Sequence, residues 1–137
     1  EDLPRLKGLL TPELFRRVRH VVTENQRVER VCRDLVAGDL EAVGETLCEG
    51  HRSLRDDFRV SISELDALCE IADAIPGVYG SRLTGAGFGG CSVHLVESGV
   101  TDEVQRQLTR GFKDRVGYEA PVWRMRPAAG ASVLEEF

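Results

Sequence analysis

The run Ser81-Arg82-Leu83-Thr84-Gly85-Ala86-Gly87-Phe88-Gly89-Gly90-Cys91 gathers the residues of this chain best suited to meeting a phosphate or another backbone. Four glycines fall within positions 85–90. Lacking Cβ atoms, they reach positive φ and let an anion or a second backbone approach the bare N–H groups. Thr84 and Ser81 add hydroxyls beside them, and Arg82 a cation. The spacing Gly85-x-Gly87-x-x-Gly90 satisfies the dinucleotide-binding pattern, but that chemistry requires a helix directly after the glycines. Here Cys91, Val93 and Leu95 alternate with Ser92 and His94, which is a strand pattern. The reading is therefore strand, glycine loop, strand. Two roles for the loop stay open. Its N–H groups could donate to phosphate oxygens, each charge-assisted bond contributing about 1.5–3 kcal/mol. Alternatively, the glycines serve a tight hairpin that packs closely against a neighbouring domain.

Other chemistry is thinly represented. Cys32, Cys48, Cys69 and Cys91 are widely spaced without a CxxC pair, so they read as reduced core residues. His20, His51 and His94 are equally scattered, which argues against a metal cluster. The dense polar stretch His51-Arg52-Ser53-Leu54-Arg55-Asp56-Asp57 tempts an acid–base reading. Neighbours on a helix point about 100° apart, however, so Asp56 and Asp57 cannot line one small cavity. The expectation is a solvated face with an Arg52–Asp56 ion pair at i,i+4.

The elements that position the loop follow from periodicity. Residues 1–10 read as a lead-in. Thr11-Pro12-Glu13 is a helix start, and Leu14, Val18, Val21, Val22, Val28, Val31, Cys32 and Leu35 make an apolar stripe that Gly38 ends. This predicts a helix over 12–37, with Asn25 at the exposed edge of the stripe. Asp39 caps a second helix running to about residue 57, with Leu40, Val43, Leu47, Leu54 and Phe58 inward. Ser61 with Glu64, or Ser63 with Asp66, caps a third that Pro76-Gly77 stops. Strands over 78–83 and 91–97 flank the loop. Thr101 caps a fourth helix ending at Gly117, a strand spans Pro121–Arg126, and Val133-Leu134 form a last apolar piece. The order predicts an α+β fold, a two-layer sandwich of helices on an antiparallel sheet.

At 137 residues the chain fits one domain that buries about two-thirds of its unfolded surface. A net charge of −5, with both signs mixed, lacks the basic stripe that nucleic acid needs. No signal peptide or long apolar span stands out, so the expected location is cytoplasmic. The chain opens on Glu1, with its single methionine at Met125, which favours the back portion of a longer polypeptide.

The run Gly80–Cys91 resembles the third signature motif of the GHMP small-molecule kinases, and among them the galactokinases. Arg17-Val18-Arg19-His20-Val21-Val22-x-Glu24, His51 through Phe58, Ser63-Glu64-Leu65-Asp66 and Pro76-Gly77-Val78-Tyr79-Gly80 resemble galactokinase segments in the same order. The resemblance runs from about Thr11 to Val133. It implies a GHMP C-terminal, ferredoxin-like domain over 11–137, with 1–10 leading in from an N-terminal domain. It further implies transfer of the ATP γ-phosphoryl to the 1-hydroxyl of galactose with Mg²⁺, the nucleotide and metal held mainly by that N-terminal domain. Within this chain Thr84, Gly85, Ala86, Gly87, Phe88, Gly89 and Gly90 would face the active site, supported by Ser81 and Arg82. No residue here is expected to be catalytic or to bind metal, so the chain alone would be inactive. Two other readings are a non-catalytic sugar- and ATP-sensing relative and a stand-alone interaction module. The implied partners are the N-terminal domain, galactose and ATP, with neither nucleic acid nor membrane.

Overall fold

The computed structural model describes residues 3–130 and 132; the Val133-Leu134 piece lies outside them. A single turn, α1 (Leu3–Leu6), occupies the lead-in. Helix α2 (Pro12–Ala37) begins where the Thr11 hydroxyl accepts from the Leu14 N–H at 3.3 Å, and ends on Gly38 at φ +74°. Helix α3 (Leu40–Ser53) is capped by Asp39, whose Oδ1 accepts from the Ala42 N–H at 3.0 Å. Helix α4 (Ser63–Asp73) leads into strand β1 (Val78–Thr84), which pairs antiparallel with β2 (Cys91–Val96). Ser81 lies opposite His94 and Thr84 opposite Cys91. Helix α5 (Thr101–Val116) closes on Gly117 at φ +93°.

Helices α3 and α4 lie on β1, α5 packs on α4, and α2 packs on α3. One apolar cluster joins Leu54, Val60, Leu65 and Leu83, and a second joins Ala72, Ile75, Val104 and Leu108. Leu68 packs against both. Helix α3 crosses β1 through two glycines. A Cβ on Gly44 would sit 1.9 Å from the Tyr79 carbonyl oxygen, and one on Gly80 would sit 2.1 Å from the Gly44 oxygen. No side chain fits at this crossing.

Several expectations are corrected. Helix α3 does not continue to residue 57: Leu54–Phe58 form a π turn, and Arg59 follows in the left-handed region at φ +60°, ψ +47°. The wide turn changes the helical phase, so Asp57 faces α2 while Asp56 faces solvent. Asp56 pairs with Arg55 at 2.9 Å, not with Arg52, and within the polar stretch expected to be solvated His51 and Asp57 are buried. The serines do not cap α4. Its N-cap position is Ile62, while Ser61 and Ser63 donate to the carboxylates of Asp66 and Glu64. Nor does Thr101 cap α5, since it is already the first helical residue.

The stretch 119–130 runs without strand pairing. Pro121 and Pro127 lack the N–H that a ladder needs, Val122 packs into the second cluster, and Gln105 donates to its carbonyl at 2.9 Å. The apolar stripe of α2 is not core: Leu14, Val21, Val28 and Leu35 are each about half exposed, and the buried residues of that helix are His20 and Arg27. Asn25 is exposed, as expected. Of the four free cysteines only Cys69 is fully buried; Cys32 and Cys91 are exposed.

Candidate functional site

The glycine loop joins β1 to β2, and its backbone is left-handed almost throughout. Gly85, Gly87, Gly89 and Gly90 stand at φ +81°, +79°, +119° and +80°, and Phe88 at +57°. A side-chain-bearing residue in that region is strained by about 1–2 kcal/mol, so Phe88 must be held. Its N–H donates to the Val60 carbonyl at 2.7 Å. Gly87 lies against the same residue, where a Cβ would come 2.2 Å from the Val60 oxygen. A Cβ on Gly85, Gly89 or Gly90 would meet nothing within 4 Å. The loop thus combines one glycine required for close packing inside the chain with three required only for φ. Thr84, Gly85, Ala86 and Gly90 are exposed, and the Phe88 ring stands 72% exposed at the tip.

The two flanking polar residues do not turn toward that surface. Ser81 is fully buried and its hydroxyl meets His94 Nδ1 at 2.7 Å, while His94 Nε2 meets the Ser92 hydroxyl at 2.9 Å. Burial pushes the His94 imidazole down to about 4. Arg82 donates to Glu24 Oε1 at 2.6 Å, and Arg27 donates to Glu24 Oε2 at 2.8 Å. Burial alone would raise the Glu24 carboxyl, but the bonds from Arg27 and Arg82 outweigh it and hold the group below its ordinary range. The Arg82 guanidinium also lies over Gly50, where a Cβ would come within 2.8 Å. Arg82 therefore braces β1 against α2 and α3, while the Ser81 hydroxyl ties β1 to β2.

Sequence reasoning missed the loop's support. The π turn carries Asp57 onto α2, where Arg19 grips both carboxylate oxygens, with Nε to Oδ2 at 2.9 Å, and Arg17 donates to the Asp57 carbonyl at 2.8 Å. The next residue, Phe58, stacks on His20 with ring centroids 4.6 Å apart. His20 Nδ1 in turn meets the Ser53 hydroxyl at 2.9 Å. These contacts fix the strand of chain that ends in Val60. The only forward signal was the density of polar residues at 51–57.

The loop stands on open surface. Two grooves, of about 370 and 290 Å³, are lined from α2, α3 and their surroundings, and neither includes a residue of positions 84–90. Among the described residues no three His, Cys, Asp or Glu side chains converge as a metal site. Nor is any described helix long and apolar enough to cross a membrane. At the loop's own surface Thr84, Gly85, Ala86 and Gly90 are open to solvent, with the Phe88 ring at the tip.

The sequence profile described as GHMP kinases C terminal matches residues 31–114, which include β1, the loop and β2. The chain belongs to this family. It is 45% identical to the galactokinase of Homo sapiens over 134 residues, covering 98% of this chain and 33% of that protein. It is 49% identical to the galactokinase of Chloroflexus aggregans over 116 residues, 85% of this chain and 30% of that one. The crystal structure of Lactococcus lactis galactokinase complexed with galactose superposes with a TM-score of 0.82 at 38% identity, over 86% of this chain and 31% of that one. L. major mevalonate kinase in complex with R-mevalonate shares the fold, with a TM-score of 0.66 at 21% identity over 94% of this chain and 38% of that one. The chain spans about a third of the length of the curated relatives it matches. The GHMP kinase C-terminal fold of helices on a small antiparallel sheet is thereby established for this chain.

Proposed function

We propose that this chain is the C-terminal part of a galactokinase, in which it closes the phosphoryl-transfer site with the loop Thr84–Gly90. The observation that carries the reading is a left-handed glycine loop whose support lies within the chain and whose other face is open. Phosphoryl transfer is achieved mainly by positioning and by stabilising charge. The loop would contribute backbone N–H groups toward the ATP phosphates, or toward the surface that cradles them. The described residues fit a phosphate approaching bare backbone. They do not offer converging carboxylates for Mg²⁺, and we assign that ion, the sugar pocket and the catalytic groups to the rest of the polypeptide.

The same reading gives the half-exposed stripe of α2 an occupant. Relatives three times as long supply the chain that would cover Leu14, Val21, Val28 and Leu35. On this view the isolated chain does not turn over. The test is transfer of labelled phosphate from ATP to galactose, by the chain alone and by the chain joined behind the N-terminal two thirds of a galactokinase. Product from the joined form only is expected. Turnover by the chain alone, or a folded but inactive joined form, would overturn the assignment.

A further inference from the structure

The glycine loop is fixed at two places, and one buried imidazole touches the supports of both. The first place is its stem: the Leu83 N–H on β1 donates to His51 Nδ1 at 3.3 Å. The second is its seat, the Val60 carbonyl that accepts from Phe88. The seat belongs to an irregular stretch, with Arg59 left-handed and Ile62 extended at φ −126°, ψ 164°, and on its N-terminal side the Val60 N–H donates back to the Leu54 carbonyl at 3.1 Å. On its C-terminal side it is tied by a side chain, Ser61 Oγ donating to Asp66 Oδ1 at 2.6 Å. That carboxylate oxygen also lies 3.2 Å from His51 Nε2.

Because Nδ1 accepts from a backbone N–H, the ring proton sits on Nε2 and faces the carboxylate. Nε2 is closed to solvent and out of line for a full hydrogen bond, so Asp66 is its electrostatic counterpart. His51 itself is 5% exposed. A lone pair on one side of the ring and an N–H on the other are what these two supports require, and neutral imidazole supplies both.

We propose that His51 is a positioning residue for the glycine loop, locking its stem through the Leu83 N–H and its seat through Asp66 and Ser61 into one frame. The functional weight of this rests on the galactokinase reading, but the test does not. Amide hydrogen exchange of Leu83 and Phe88 would be followed by NMR on the chain itself, in single variants. His51→Phe removes both ties, and both amides should exchange about tenfold faster or more, while Leu108 and Cys69 stay within about twofold. His51→Asn keeps an acceptor near Nδ1 and should protect Leu83 only. His51→Gln keeps a donor near Nε2 and should protect Phe88 only. Ser61→Ala, a milder change, should accelerate Phe88 and leave Leu83 alone. Unchanged Leu83 and Phe88 in His51→Phe would overturn the proposal, as would equal acceleration of every core amide. A failure of phosphate transfer in the joined enzyme would leave these exchange rates untouched, so the two ideas fail separately.

Discussion

Gly87 approaches Val60 so closely that a Cβ on the glycine would lie 2.2 Å from the Val60 carbonyl oxygen, the same oxygen that accepts the Phe88 N–H. Gly87→Ala therefore meets backbone, which cannot swing aside, and also carries the left-handed strain. Gly85→Ala carries only the strain, about 1–2 kcal/mol, because nothing lies near its Cβ. Urea unfolding of the two variants should show the larger loss for Gly87→Ala. Equal losses would mean that the seat on Val60 contributes nothing to stability.

The crossing of α3 and β1 makes a sharper demand. Gly44→Ala places a Cβ 1.9 Å from a strand carbonyl, and no rotamer relieves a Cβ clash. The variant should lose at least about 3 kcal/mol, the upper end of overpacking costs, or fail to fold. Circular dichroism melting checks this directly. A loss below about 1 kcal/mol would show that helix and strand can part there.

Acid should destabilise the chain through its histidines. Burial lowers His94 to about 4 and lowers His20 and His51 as well. The folded state thus resists a proton that the unfolded chain accepts at about 6.5. The stabilisation is complete above pH 6.5, declines as pH falls toward about 4, and is gone below that. For His94 it corresponds to roughly 3 kcal/mol. Denaturant midpoints measured from pH 7.5 to 4 should fall through this window, and His94→Asn should flatten the curve. A midpoint independent of pH over this range would contradict the buried, neutral imidazoles.

The α2 stripe offers a test that separates folding from assembly. Val28 is 57% exposed, so Val28→Glu should change stability by no more than about 0.5 kcal/mol. It should nonetheless weaken capture of this chain by a separately produced N-terminal two thirds of a galactokinase, read by calorimetry. Undiminished binding would place the contact elsewhere.

How far the sequence could be read depended on how locally each feature is encoded. Thr11, Pro12 and Gly38 mark the ends of α2 within a turn of themselves, and the structure places those ends where the residues predict. The hairpin and its loop were equally legible, since alternation and glycine clustering are short-range signals. The serines at 61 and 63 also looked like local caps, but the carboxylates of Asp66 and Glu64 take their hydroxyls. The support of the loop was hidden because it depends on meetings between distant residues: Gly44 with Gly80, Asp57 with Arg19, His51 with Leu83. Periodicity also marked the α2 stripe as apolar without saying whether this chain or another surface would cover it. The strand expected at 121–126 failed for a similar reason, because its alternation was real but Val122 found its contacts in the α5 layer.

The wide turn at Leu54–Phe58 makes spacing, rather than side-chain identity, the sensitive property of this stretch. A π turn holds one residue more than the α turn it replaces. Removing any one residue from 55–57 would restore ordinary helical winding and rotate everything after it by about 100°. The Val60 oxygen would then turn from Phe88, and the residue at position 57 from Arg19. A family tree of such domains should accordingly admit many substitutions in this stretch but hold its length constant, while the segment 125–130, beyond the contacts of Val122, gains and loses residues freely.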